Sequence, residues 1–151
     1  MDTLSNNRNG TSVFAYRAQK NLDFIVLAAQ QGQDVHPVTA AVSALLGIFI
    51  FPWERSALNA VKRERLSILT ANHGWPQWNM SGTRRVVEVG ELVHVLRNCV
   101  AHGAIQFDSD SRNPAAVEIT FSDGDWQGAI RADQLIEFCR CFMSTMKDQV
   151  D

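Results

Sequence analysis

At Gly103 the hydrophobic period of this chain changes, and that change limits what it can fold into. Upstream, apolar residues recur at spacings of three and four, as on the buried stripe of a helix. Downstream, Val117, Ile119 and Phe121 alternate with Glu118, Thr120 and Ser122, as on a half-buried strand. The sequence therefore predicts a mainly α fold: a helical bundle with a β-hairpin inserted between its fourth and last helices. Asp123-Gly124 supplies the turn. A two-residue loop there sets Phe121 opposite Trp126, Ile119 opposite Gly128 and Val117 opposite Ile130, all on one apolar face. Ile105 to Phe107 suits one more short strand, and Asp108 to Pro114 an exposed loop.

The helices follow from the same patterning. Thr11 or Ser12 can cap a first helix ending near Gly32, with Phe14, Leu22, Ile25, Val26 and Ala29 turned inward. Pro37 suits the first turn of a second helix through Phe51, apolar almost all round and so the buried centre of the bundle. Pro52 opens a third helix through about Thr70, with Lys62-Arg63-Glu64-Arg65 as a solvated face. Residues 71–82 read as a loop whose Trp75 and Trp78 pack back onto the core, with base stacking as the sharper alternative. Ser81 can cap a fourth helix to His102. Its seam of Val86, Val89, Val93, Leu96 and Val100 can face the core or a partner helix. Ala132-Asp133 starts the last helix, with Leu135, Ile136, Phe138, Phe142 and Met146 inward.

Composition narrows the class. With 151 residues, 46% hydrophobic and 20% charged, the chain fits a single globular domain. We read residues 1–10 as a flexible polar arm and residues 11–151 as that domain. A net charge of −2 gives no broad basic field for capturing nucleic acid, though a local basic cleft is compatible with it. Three cysteines, Cys99, Cys139 and Cys141, are an odd set on predicted helices, which points to reduced thiols. The arm lacks the apolar stretch of a signal peptide, and the run from Ala40 to Phe51 is too short to span a bilayer. The expectation is a cytoplasmic protein with no membrane association.

The residues that can carry chemistry gather at the end of the fourth helix, Leu96-Arg97-Asn98-Cys99-Val100-Ala101-His102-Gly103. Gly103 can take the left-handed conformation that ends a helix, placing His102 in the last turn. The negative end of the helix dipole there favours the imidazolium, so His102 can exchange a proton near neutral pH. Asn98 lies one turn back on the same face, close enough to orient the ring, and His94 and Glu91 extend this polar stripe. Arg97 stands about 140° from His102 around an ideal helix, so one motif does not aim both at one phosphate. Either the helix unwinds at Gly103 or two chains build a composite site. His94 and His102 lie about 12 Å apart along the axis, too far to share a metal ion. No metal site or cofactor is expected, and His36 and His73 show no ligand spacing. A His-Gly pair also ends many helices with no further role, so spacing alone leaves a plain capping function open.

Arg97-Asn98-Cys99-Val100-Ala101-His102 resembles the Arg-x4–6-His motif of the HEPN superfamily (higher eukaryotes and prokaryotes nucleotide-binding). The Leu45-Leu46-Gly47 to Phe51-Pro52-Trp53-Glu54 segment, the hairpin and the final helix are similar to a plasmid-associated HEPN branch, across most of residues 15–147. The resemblance implies a HEPN-like bundle that pairs as a homodimer, so that two motifs meet at a cleft. It implies metal-independent cleavage of an RNA substrate, in a toxin or defence setting that can include an antitoxin-like protein partner. His102 would act as acid or base for attack of a ribose 2′-hydroxyl on the adjacent phosphate. Arg97 would balance charge on the phosphoryl oxygens, and Asn98 would orient His102 or a phosphate oxygen. Arg84, Arg85 and Lys62 to Arg65 are candidates for flanking phosphates. The alternative is a non-catalytic HEPN module that binds RNA or nucleotides, or regulates through dimerisation.

Overall fold

The computed structural model describes residues 10–50, 59 and 61–150. Helix α1 spans Gly10–Gln30, and α2 spans Pro37–Leu45 and runs on into a wider π turn, Leu46–Ile50. Pro37 sits in the first turn of α2, where its missing N–H costs nothing. Helix α3 covers Leu66–His73, strand β1 Asn79–Gly82 and helix α4 Val89–Ala101. Strand β2 (Ile105–Phe107), a short 3-10 turn (Pro114–Ala116), β3 (Glu118–Asp123), β4 (Trp126–Arg131) and helix α5 (Ala132–Val150) complete the chain. The architecture is mainly helical with one small antiparallel sheet.

The hairpin is present but is not an isolated insertion. Its strands are the middle of a four-stranded sheet ordered β1-β4-β3-β2, and β1 comes from upstream of α4. The predicted register is off by two residues. Phe121 pairs with Gly128, Ile119 with Ile130 and Asp123 with Trp126, so Gly124-Asp125 forms the loop. Gly124 alone takes positive φ, 55°, at the first loop position, as a type II′ turn requires. A shift of two keeps every side chain on its face, which is why the alternation could not reveal it.

Two helix boundaries also differ from the sequence reading. Residue 51 of the predicted second helix and residues 52–58 and 60 of the predicted third lie outside the described residues. The helix does not continue through Lys62–Arg65: the chain turns there, Arg65 is extended and bridges to Glu88, and α3 begins at Leu66. Charged residues are exposed in a helix or in a turn, so periodicity does not separate the two. Ser81 caps nothing, because it lies in β1 opposite Gln127. The cap of α4 is Glu88, in a reciprocal capping box with Glu91.

The core lies where α4 and α5 cover the apolar face of the sheet, with α2 packed against α5. Trp126, Phe121, Phe138 and Phe142 are its largest fully buried side chains. Trp75 and Trp78 are both buried. Trp75 meets Phe138 edge-on at 5.4 Å, and Trp78 meets Phe121 at 5.5 Å and Phe138 at 5.6 Å. They anchor the segment before β1 and offer no free face for a base. The seam of α4 faces this core: Val89, Val93 and Leu96 are buried together with Leu92, Val95 and Cys99. In α1, Leu22 is buried while Phe14, predicted inward, is 46% exposed.

Candidate functional site on the polar face of helix α4

Both ends of α4 are fixed by backbone bonds, and these set where its polar face points. At the start, the basic turn docks onto the helix: Val89 N–H donates to Glu64 O at 3.0 Å and Gly90 N–H to Lys62 O at 2.9 Å. Gly90 permits this approach, since a Cβ there would stand 3.0 Å from the Lys62 Cβ and 3.1 Å from its carbonyl oxygen. Glu91 Oε1 accepts from Glu88 N at 2.9 Å and Val87 N at 3.1 Å. The donors that a helix start leaves without partners are thereby met.

At the other end, His102 is the cap residue and Gly103 takes φ 64°. Gly103 N–H donates to Val100 O at 3.0 Å and Ala104 N–H to Cys99 O at 2.8 Å, the paired bonds of a Schellman motif. The last turn is therefore well defined, and His102 leaves it exposed to solvent. Arg97 is exposed as well. Among the described residues, no side chain bonds to either of them. The helix does not unwind early to bring the two side chains together.

Asn98 behaves differently. It is half-buried, and its Nδ2 donates to Asp123 Oδ2 at 3.1 Å. The same nitrogen lies 3.5 Å from His94 Nε2. Asp123 also receives Arg84, whose guanidinium stands 3.5 Å from Oδ2. An array of Arg84, Asp123, Asn98 and His94 thus ties the tip of the hairpin to the polar face of α4. The amide nitrogen of Asn98 points into this array rather than at the His102 ring. Glu91, placed by its spacing on the polar stripe, is engaged in capping. His94 is exposed and borders a groove of about 340 Å3 with Lys62, Arg63, Arg84, Glu88 and Glu91. Behind the site, burial and then the Asp123 charge push the Cys99 thiol up to about 11.

Asp123 is the member of this array that sequence reasoning missed. The sequence reading places it in the turn, whereas the observed register makes it the last residue of β3. Its parity with Ile119 and Phe121 is legible in the sequence, but only the corrected register extends the strand, and so that face, to Asp123.

A family model described as HEPN pEK499 p136 matches residues 1–151, the whole chain. The chain belongs to that HEPN family. Among curated proteins and solved structures, nothing matches it. The HEPN assignment agrees with the mainly helical architecture and points to a nuclease or RNA-binding module. Among the described residues of this HEPN chain, no helix is long and apolar enough to cross a membrane, and no cluster of three potential ligands is placed to share a metal ion.

Proposed function

We propose that this HEPN chain is a metal-independent endoribonuclease whose active site is completed when two copies bring their α4 ends together. The observation that carries the reading is the state of Arg97 and His102. Both stand exposed on a helix end held by a Schellman cap, with no bond from another side chain among the described residues. A structural arginine or histidine in a last turn is normally tied to a carboxylate or carbonyl; these two are available to a ligand. The wide angle between them around α4 favours a site shared by two chains.

In this reading a His102 imidazole takes the proton from a ribose 2′-hydroxyl as O2′ attacks the adjacent phosphorus. The bond to the 5′-oxygen breaks, and that oxygen leaves with a proton given by an imidazolium. The products are a 2′,3′-cyclic phosphate and a 5′-hydroxyl. Arg97 stabilises the charge that grows on the non-bridging oxygens. DNA lacks the nucleophile and is not cut. A toxin or defence setting, with an antitoxin-like protein holding the nuclease silent, fits such an activity.

The test is cleavage of a structured RNA in EDTA by wild type, His102→Ala and Arg97→Ala, beside a solution mass measurement. Cutting by wild type alone, with cyclic phosphate ends, supports the reading. Clean dimers that bind RNA without cutting it would move the assignment to the non-catalytic module. A strict monomer at high concentration would remove the composite site.

A further inference from the structure

The three polar residues of the motif are not equally free, and the difference has chemical content. Asp123 is a carboxylate and can only accept, so the group of Asn98 that faces it must be the amide nitrogen. An amide turned the other way would set acceptor against acceptor. One Nδ2 hydrogen goes to Asp123 Oδ2 at 3.1 Å. The second has His94 Nε2 beside it at 3.5 Å, and it is donated there when that ring nitrogen carries its lone pair, the tautomer with the proton on Nδ1. Because a carboxamide is planar, Oδ1 then points away from both partners.

We infer that Asp123 is a positioning residue, which takes one N–H of Asn98, sets the other toward His94, and leaves Asn98 to serve the motif through its amide oxygen, as a hydrogen-bond acceptor. Phosphate oxygens are themselves acceptors, so Asn98 does not hold the scissile phosphate. It receives an O–H or N–H donor, of which the ribose 2′-hydroxyl and the His102 ring are the two that the mechanism supplies. Arg84 stands 3.5 Å from the same carboxylate oxygen, so Asp123 joins the residues before α4 to the motif face. The consequence for cleavage rests on the ribonuclease reading; the orientation of the amide does not.

The experiment uses the full chain as wild type, Asp123→Ala and Asp123→Asn, the last keeping an acceptor oxygen in place of the carboxylate. Side-chain amide NMR of Asn98 and ring 15N shifts of His94 report the tether directly. Protected Asn98 amide protons and a His94 carrying its proton on Nδ1 are expected in wild type. Asp123→Ala should speed amide exchange by about tenfold or more, as loss of a part-buried bond does, and Asp123→Asn should restore most of the protection. On RNA, Asp123→Ala should lower kcat by about tenfold with KM unchanged, and Asp123→Asn should recover it. Equal amide exchange in wild type and Asp123→Ala overturns the inference, as does a change in KM alone. If wild type cuts no RNA, the ribonuclease reading fails, and the exchange data decide the tether by themselves.

Discussion

The six-membered ring of the Trp126 indole lies where a side chain on Gly128 would be: a Cβ built there falls 2.3 Å from Cη2 and 2.4 Å from Cζ2 of Trp126. Trp126 is 1% exposed, so the ring has nowhere to retreat. Gly128→Ala should therefore destabilise the protein by about 1–3 kcal/mol, the usual cost of forcing a packed core apart. Urea unfolding would measure it, and a midpoint equal to wild type would show that the indole has room to move.

Removing the motif side chains should have the opposite profile. Arg97 and His102 are exposed and bear no side-chain bonds among the described residues, so alanine at either should leave stability within about 0.5 kcal/mol of wild type. Cleavage should fall at least about a hundredfold in each. A variant that loses activity together with its fold would point to a capping role instead.

Trp75 and Trp78 should act on the fold, not on binding. Replacing either with alanine opens a cavity against Phe138 and should cost about 3–5 kcal/mol. Chemical denaturation reads that loss directly. Weakened RNA affinity with stability intact would instead restore the stacking reading.

Two thiols supply a pH dependence with a definite sign. Burial pushes Cys139 up to about 12, and burial with the Asp123 charge pushes Cys99 up to about 11, from an ordinary 9.0. The folded chain thus keeps protons that the unfolded chain releases. Their contribution to stability is full below pH 9.0 and drains away as pH rises toward about 11 for Cys99 and about 12 for Cys139. The fall in unfolding midpoint over that window should be smaller in Cys99→Ala and Cys139→Ala than in wild type. At neutral pH an alkylating reagent should leave both unlabelled until the chain unfolds.

What the sequence could reveal depended on which residues carried a local signal. Val89, Val93 and Leu96 of the α4 seam, Leu135, Ile136, Phe138 and Phe142 of α5, Pro37 at the start of α2 and Gly103 beyond the end of α4 were legible, because each is fixed within a turn or two; Val86 and Val100 are half-buried, and the Met146 side chain lies outside the described residues. Strand β1 was not. Asn79-Met80-Ser81-Gly82 has no alternation, and it is a strand because β4, distant in sequence, lies beside it. The array at Asn98 was hidden for the same reason. Local geometry put the amide within reach of His102, but a carboxylate from the hairpin offered it a charged acceptor, and no pattern within α4 records that competitor.

The order in which the sheet is assembled also bears on when the molecule becomes competent. Strand β1 is synthesised before α4, yet pairs with β4, which is synthesised after it; Asn98 likewise waits for Asp123. A ribosome-bound chain therefore presents Arg97 and His102 on α4 before the hairpin that frames Asn98 has been made.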